Sequence, residues 1–321
     1  MIDYGEIPGG KNELRSLLYP YYKIYPFKLW SKYRWLKNSH LNQKLPHLNQ
    51  QNRWVTVIDR LGAPGDALIT ANVIRGIKHN YPKIKINCIS PNSVLIRLDP
   101  QIDAINKKET FYSFDSSYWE LIARKEKNKN VVAFNLERLG IFSSEYKSKF
   151  YLSTKEKEWA KSMVHNIKKP IVAFCSRSKE SVKNWPIEHW KKLLKQIGLN
   201  CSLLHIGDQH EPVFEGITRY AGKLTMRESA AVLSRCTLFI GPDSLLMHIA
   251  NGLDIKSVII FGGSRPVSCF GYTENTNITK NPDCSPCWIH DGYEKCYNNI
   301  QCLSSISHLK VLDLVRTSLN N

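Results

Sequence analysis

The sequence predicts an α/β protein built from two doubly wound units, each a parallel sheet flanked by helices. In the first unit, a β-rich run at residues 53–58 leads through a glycine-rich turn into a helical repeat of apolar residues, and residues 84–89 form the next strand. The second unit alternates helical segments with apolar runs at 171–174, 201–206, 237–240 and 257–261. Two such units would face each other across a cleft lined by the carboxyl ends of their strands, where ligands bind in this class.

Changes in pattern along the chain predict three regions. Residues 1–50 have little strand pattern and form a basic, aromatic N-terminal extension. Residues 51–167 form the first Rossmann-like domain, which ends in a helix that begins with a capping box of Ser153 and Glu156. Residues 168–321 form the second such domain, with a cysteine cluster and a terminal helix that we expect to pack across both domains.

Charge and composition narrow the range of partners. The chain has 321 residues and a net charge of +17, which favours nucleic acid, anionic lipid or phosphorylated small molecules. Aromatic residues alternate with lysine and arginine at 14–36, a composition that suits an anionic membrane surface, stacking on single-stranded nucleic acid, or packing on a neighbouring domain. There is no run of about eighteen apolar residues and no signal-peptide pattern. We therefore expect a protein that is either cytoplasmic or peripheral to the inner face of the cytoplasmic membrane.

Residues 238–250 form the most informative stretch, a buried strand that runs through a tight turn into a helix. Gly241 and Pro242 are predicted to end the strand, and Asp243 or Ser244 to cap the helix. The amino end of a helix attracts anions through its free N–H groups and its dipole. His248 follows one turn further on. A purely structural interpretation makes Asp243 a cap and His248 a core histidine.

The turn after the first strand contains Arg60, Gly62, Gly65 and Asp66. Its spacing is neither the dinucleotide fingerprint nor a Walker loop. Asp66 lies at a helix start, where it either caps the helix or presents a carboxylate at the edge of the cleft that can accept a proton.

Three motifs in order, Arg60-Leu61-Gly62-x-x-Gly65-Asp66, Lys183-x-Trp185-Pro186-x-x-His189-Trp190 and Gly241-x-Asp243-Ser244-x-x-x-His248-x-Ala250, resemble those of glycosyltransferase family 9. That family contains the heptosyltransferases of lipopolysaccharide core synthesis and relatives that modify autotransporter proteins. The resemblance runs from about residue 53 to the C-terminus. It implies the GT-B architecture, with the acceptor on the first domain, the nucleotide-sugar donor mainly on the second, and no cofactor or divalent metal for the chemistry.

The resemblance also implies roles for individual residues. Asp66 corresponds to the general base of an inverting transfer, and Lys183 to the lysine that neutralises the departing diphosphate. Arg60, Gly62 and Gly65 belong to the acceptor-side loop. The implied donor-binding residues are Ser176, Ser178, Lys183, Glu211, Asp243, Ser244 and His248. The implied donor is ADP-heptose, and the acceptor is lipopolysaccharide core or protein.

One residue departs from the family pattern. Leu245 stands where the family usually has glycine after the Asp-Ser pair. Because leucine does not readily take a positive φ, we expect strain or crowding in the donor loop, and an altered donor preference or activity.

Four of the nine cysteines, Cys284, Cys287, Cys296 and Cys302, have the spacing of metal ligands. Four thiolates would hold zinc or iron in a structural site, as a similar set does in autotransporter-type members of the family. Reduced surface thiols are the alternative. Together with the net charge, the cluster also keeps a second function open, a nucleic-acid-binding protein with a cysteine-ligated zinc module.

Overall fold

The structure is a computed structural model that describes residues 53–108, 110, 112–142, 147–289 and 296–320. The predicted extension at 1–50 lies outside the described residues. Within the described ranges, no helix combines the length and apolar character needed to cross a bilayer.

The first half contains one four-stranded parallel sheet in the order β3-β2-β1-β4. Its described elements are β1 (Trp54–Asp59), α1 (Pro64–Asn80), β2 (Lys85–Ile89), β3 (Ala104–Ile105), β4 (Tyr112–Ser116), α2 (Trp119–Ala123), α3 (Val131–Glu137) and α4 (Thr154–Met163). The predicted strands at 53–58 and 84–89 are confirmed to within one residue at each end.

The second half contains a six-stranded parallel sheet in the order β10-β9-β8-β5-β6-β7. Its described elements are β5 (Ile171–Phe174), α5 (Ile187–Ile197), β6 (Ser202–His205), β7 (Thr218–Arg219), α6 (Met226–Leu233), β8 (Leu238–Pro242), α7 (Leu245–Gly252), β9 (Ser257–Phe261), α8 (Val267–Phe270), β10 (Thr276–Thr279), α9 (Gln301–Ser304) and α10 (His308–Asn320). This order places β5, β8 and β9 side by side in the middle of the sheet, so their carboxyl ends deliver three loops to one place.

Local sequence explains how the helices start. Pro64 opens α1, where a missing N–H costs nothing. The predicted capping box of Ser153 and Glu156 forms at the start of α4, with the Ser153 N–H donating to Glu156 Oε2 at 2.8 Å. A second capping box, Thr225 with Glu228, starts α6.

The prediction that Gly241 and Pro242 end the strand is wrong, because β8 continues through Pro242. Pairing with β5 stops at Ile240, whereas pairing with β9 continues to Pro242, which is opposite Ile260. Pro242 therefore lies where the strand is paired on one side only, a position that tolerates a residue without an N–H.

Three further expectations about this half are corrected. The N-cap of α7 is Ser244, but no side chain caps the helix. Leu245 is the first residue of α7 and is absent from the described residues with positive φ, so the predicted backbone strain is wrong. The terminal helix α10 packs on α5, β9 and β10 of the second sheet, because its buried stripe of Val311, Leu312 and Val315 joins the core there.

The two halves are in direct contact. The Phe150 N–H donates to the Gly252 carbonyl at 2.9 Å, and Arg227 of α6 donates to the carbonyl of Val94 at 3.2 Å. One apolar core cluster contains side chains from both sheets. The boundary between residues 167 and 168 stays a prediction; it falls between α4 and β5.

Candidate active site

Asp66 lies in the first turn of α1, and the residue is only 8% exposed. Its Oδ1 accepts a hydrogen bond from Tyr118 Oη at 2.6 Å, and its Oδ2 accepts one from the Ala63 N–H at 3.2 Å. Burial, with the negative charge of Asp59, raises its pKa to about 7, although both hydrogen bonds and the charge of Lys183 act in the opposite direction. A carboxyl group with this pKa is partly ionised at neutral pH and can take up a proton.

The loop before Asp66 is fixed by its own hydrogen bonds. Gly62 has a φ of +73°, a conformation that favours glycine, and its N–H donates to Asp59 Oδ1 at 3.0 Å. The Gly62 carbonyl accepts a hydrogen bond from Asn92 Nδ2 at 2.8 Å. Arg60 Nε donates to Asp115 Oδ1 at 2.6 Å, which ties the loop to the carboxyl end of β4. The loop therefore holds the start of α1 in one position.

Gly65 lies directly against His248 of the second half. A Cβ at this position would lie 3.1 Å from His248 Cδ2, so a side chain there would push the ring on α7 away. His248 Nδ1 is 2.7 Å from Tyr272 Oη, and burial lowers the pKa of His248 to about 4. The imidazole is thus neutral at pH 7, which favours a positioning role over a cationic one.

Lys183 ends a short 3-10 turn at Ser181–Lys183. Its Nζ lies 3.0 Å from Asp243 Oδ2 and 3.6 Å from Glu180 Oε1. Burial lowers the pKa of Lys183, but the two carboxylates outweigh that effect and raise the pKa above its ordinary value, so the ammonium is retained. Because the charge of Lys183 also lowers the pKa of Asp66, the structure brings a carboxyl group from the first half within electrostatic reach of the Lys183–Asp243 pair.

Glu211 and Ser176 are bonded to each other at the carboxyl end of β5. Glu211 Oε2 accepts from the Ser176 N–H at 3.0 Å and from Ser176 Oγ at 2.5 Å, and it lies 2.9 Å from His205 Nε2. Its Oε1 accepts from the Arg177 N–H at 3.1 Å. The carboxylate, in a residue only 5% exposed, therefore fixes the turn whose serines the family resemblance assigns to donor binding.

Ser178 and Ser244 lie on the two neighbouring loops. The Ser178 N–H donates to Asn184 Oδ1 at 2.6 Å, and its Oγ accepts from the Glu180 N–H at 3.4 Å. Ser244 Oγ is 3.9 Å from Cys175 Sγ, in contact with the end of β5. Both serines thus border the region that contains Lys183.

Sequence reasoning missed three residues in this region: Tyr118, Tyr272 and Arg265. Tyr118 follows β4, and its ring packs edge-on against Phe270 of the second half at 5.2 Å between centroids. Arg265 follows β9 and is buried, at 6% exposure. For Tyr118 and Arg265, the available signal was the position after a parallel strand, where this class of fold places ligand-binding residues.

The four predicted metal ligands converge on one small region. The Cys287 N–H donates to the Gly263 carbonyl at 3.0 Å, and a Cβ at Gly263 would lie 3.0 Å from the Cβ of Cys302. Burial raises the pKa of Cys302, and the charges of the other three cysteines add to this effect. Among the described residues, however, no group of three cysteine, histidine or carboxylate side chains is arranged to hold a metal ion.

The model of glycosyltransferase family 9 (heptosyltransferase) matches residues 123–298, more than half of the chain. The chain belongs to this family. The match includes the Lys183 and Asp243 motifs and three of the four clustered cysteines, Cys284, Cys287 and Cys296. This agrees with the family resemblance of the sequence motifs. Nothing in the comparisons supports the nucleic-acid-binding alternative.

Two curated family members match over a shorter stretch. The lipopolysaccharide heptosyltransferase 2 of Salmonella typhimurium is 26% identical over 113 residues, which are 30% of this chain and 32% of that protein. The lipooligosaccharide heptosyltransferase 2 of Haemophilus influenzae is 28% identical over 114 residues, 30% of this chain and 33% of that protein. The matched stretch thus spans about a third of each relative.

Solved structures match over most of the chain. A family 9 glycosyltransferase from Veillonella parvula superposes with a TM-score of 0.65 at 16% identity, covering 85% of this chain and 98% of that one. The iron-containing dodecameric glycosyltransferase TibC of enterotoxigenic E. coli gives a TM-score of 0.66 at 18% identity, covering 84% and 77% respectively. These likenesses establish the fold, so the predicted α/β GT-B architecture is confirmed.

Proposed function

We propose that the chain is an inverting glycosyltransferase that moves a heptose from ADP-heptose to a cell-envelope acceptor, either lipopolysaccharide core or protein. Family membership supports the reaction class. TibC has been crystallised with ADP-D-beta-D-heptose, which supports the donor, and the curated relatives are named for lipopolysaccharide and lipooligosaccharide, which supports the acceptor class.

The observation that carries the proposal is that Asp66 of the first half lies within electrostatic reach of the Lys183–Asp243 pair of the second, beside the contact of Gly65 with His248. In the proposed step, Asp66 takes the proton of the acceptor hydroxyl as that oxygen forms a bond to the anomeric carbon. The bond from the anomeric carbon to the distal phosphate oxygen breaks, and its electron pair leaves with the diphosphate. A fixed cation stabilises this leaving group, because negative charge grows there in the transition state.

The test is product analysis after incubation with a panel of nucleotide sugars and candidate acceptors. We expect Asp66→Asn to abolish transfer while donor binding stays nearly intact, because the base acts only on the acceptor. Lys157→Gln, on the exposed side of α4, is the matched control for surface change. Unchanged turnover in Asp66→Asn would remove Asp66 from the base role.

We further propose that the four cysteines close around a structural zinc or iron ion. Their convergence beside Gly263 supports this. Two hydrogen bonds to sulfur, from Asn298 Nδ2 to Cys284 Sγ at 3.3 Å and from the Ile300 N–H to Cys296 Sγ at 3.4 Å, also suit thiolate ligands. The iron-containing relative TibC gives a second reason. Such a metal would hold the loops together and would leave no open position for chemistry.

Elemental analysis of the purified full chain tests the metal. We expect about one zinc or iron per chain, lost together with thermal stability in Cys302→Ser and retained in Cys201→Ser, whose thiol lies against Ile197. A metal-free wild-type chain, or equal metal content in both variants, would contradict the site.

We also propose that residues 1–50 bring the enzyme to the inner face of the cytoplasmic membrane. The net charge of +17 and the alternation of aromatic and basic residues at 14–36 support binding to anionic lipid. We expect the full chain to sediment with vesicles that contain anionic lipid, in a salt-sensitive manner, but not with neutral vesicles. Equal sedimentation with both would refute the electrostatic basis of the binding.

A further inference from the structure

Arg265 is a buried cation at the carboxyl end of β9 that the proposed reaction does not yet use. Its Nη1 donates to the carbonyls of Ser264 at 3.1 Å and Ile289 at 3.2 Å, and its guanidinium lies 5.8 Å from the centre of the Trp288 ring. Among the residues that the structure describes, no carboxylate lies within ion-pair distance of this guanidinium. A buried charge that is paired only with carbonyls is costly, and a bound anion would offset that cost.

The loop that carries Arg265 lies directly against the turn that carries Lys183. A Cβ at Gly262 would be 2.7 Å from the carbonyl oxygen of Val182, so only a glycine backbone can approach so closely. The charge of Arg265 acts to lower the pKa of Lys183, as expected for two cations at one site. The same charge acts on Tyr118, which donates to Asp66. Arg265 therefore shares the region of the reacting groups.

The two cations differ in their partners. Lys183 already has two carboxylates, Asp243 at 3.0 Å and Glu180 at 3.6 Å, so much of its charge is compensated within the protein. Arg265 has no such partner among the described residues, so its positive charge remains available to a ligand.

The backbone of the cysteine loop holds Arg265 in place. The Cys287 N–H donates to the Gly263 carbonyl at 3.0 Å, the Trp288 N–H donates to the Ser264 carbonyl at 3.1 Å, and Ile289 accepts from Arg265 itself. These successive bonds run alongside residues 263–265, so the guanidinium is positioned before any ligand arrives. Preorganised charge is what makes electrostatic stabilisation effective.

We propose that Arg265 binds the diphosphate of the nucleotide-sugar donor and stabilises it as it leaves, acting beside Lys183. This inference rests on the proposed function. When the bond between the anomeric carbon and the distal phosphate oxygen breaks, the electron pair and the added negative charge stay on the diphosphate, next to Arg265. A planar guanidinium can donate two parallel hydrogen bonds to phosphate oxygens, which a lysine ammonium does not match.

The test is calorimetry on the full chain. ADP, UDP and GDP are first compared on the wild type. The diphosphate that binds most tightly, and the corresponding plain nucleoside, are then measured on each variant. We expect Arg265→Gln to weaken binding of the nucleoside diphosphate about 10- to 100-fold, because a charge-assisted hydrogen bond to phosphate is lost. Binding of the nucleoside should be unchanged. Arg265→Lys should recover part of the loss. Arg316→Gln removes the same charge from an exposed position on α10 and should behave as wild type.

Thermal unfolding of each variant separates an effect on binding from an effect on folding. If Arg265→Gln does not fold, Arg265→Lys, which keeps a buried cation, still tests the inference. Suppose that the wild type binds the diphosphate and transfers sugar, and that both Arg265 variants keep the wild-type affinity for the diphosphate. This result leaves the proposed function standing and overturns the inference about Arg265. A parallel loss of nucleoside affinity also overturns it, because the residue would then shape the site as a whole. A wild type that binds no nucleoside diphosphate and transfers no sugar overturns the proposed function and this inference together.

Discussion

The hydrogen bond from Tyr118 to Asp66 controls the pH at which the proposed base works. Tyr118 Oη donates to Asp66 Oδ1 at 2.6 Å inside a buried region, where the bond favours the ionised carboxylate. Burial and Asp59 act in the opposite direction and raise the pKa of Asp66 to about 7. Removing the hydroxyl in Tyr118→Phe should therefore raise that pKa further.

The size of the effect follows from the strength of the bond. A hydrogen bond to a charged group contributes about 1.5–3 kcal/mol, and 1.36 kcal/mol corresponds to a change of one in pKa, so the pKa of Asp66 should rise by about 1 to 2. For a rise of about 1, the ionised fraction at pH 7 falls from about a half to about a tenth, and kcat/KM falls about fivefold. With that rise of about 1, the variant and the wild type should converge near pH 9 or above, because Asp66 is then mostly ionised in both.

The assay is kcat/KM for sugar transfer measured from pH 5.5 to about 9.5, since this quantity reports the ionisation of the free enzyme. Tyr220→Phe is the matched control, because its hydroxyl donates at 2.8 Å to the carbonyl of Met163, away from the site. Its profile should have the wild-type midpoint. A loss in Tyr118→Phe that is equal at every pH, or a midpoint that does not move upward, would refute the reasoning.

Three further predictions concern stability, each measured by thermal unfolding against pH. Asp66→Asn should be more stable than wild type by up to about 4 kcal/mol at pH 8, because the pKa of Asp66 in the folded protein, about 7, exceeds the ordinary 3.8. Ionising the buried carboxyl group therefore costs stability as pH rises. The gain should vanish near pH 4. Glu211→Gln should lower stability by about 1–3 kcal/mol as its turn contacts weaken, whereas a raised donor KM at unchanged stability would instead indicate direct donor binding. Arg227→Gln should lose about 3 kcal/mol at pH 7, and the loss should shrink as pH falls from about 4.5 to 2, because Arg227 holds the pKa of Glu156 at about 2.

Matched substitutions control these measurements. Asp283→Asn and Glu188→Gln lie at exposed positions, and Arg316→Gln removes an exposed guanidinium. None should change the pH dependence of unfolding. A wild type and an Asp66→Asn variant with parallel stability curves would contradict the raised pKa, and an acid-independent loss in Arg227→Gln would contradict the coupling to Glu156.

Much of the fold could be predicted because hydrophobic pattern and local caps act over short distances. The strands at 171–174 and 257–261 have the predicted bounds, and the predicted capping box of Ser153 and Glu156 forms. The end of β8 could not be predicted, because Gly241 and Pro242 are ordinary strand breakers. Whether a strand continues through them depends on how its neighbours pair, which is a tertiary property.

The candidate site was predictable where motifs point to it and not where contacts between residues distant in the sequence define it. Asp66, Lys183 and Asp243 could be named from motif and position, and they lie within electrostatic reach of one another. Nothing in the local sequence indicates that Tyr118 donates to Asp66, because 52 positions separate them along the chain. Leu245 illustrates the converse error: a family comparison suggested strain, yet the residue simply begins a helix.

The cysteine loop also bears on how the molecule is divided. The loop is hydrogen-bonded to the residues that follow β9. Cys287 and Trp288 donate to Gly263 and Ser264, and Ile289 accepts from Arg265. If the loop lost its structure, the guanidinium of Arg265 would therefore lose its fixed position. If Arg265 binds the donor as proposed, a change in the cysteine loop should alter donor binding through the position of this buried cation.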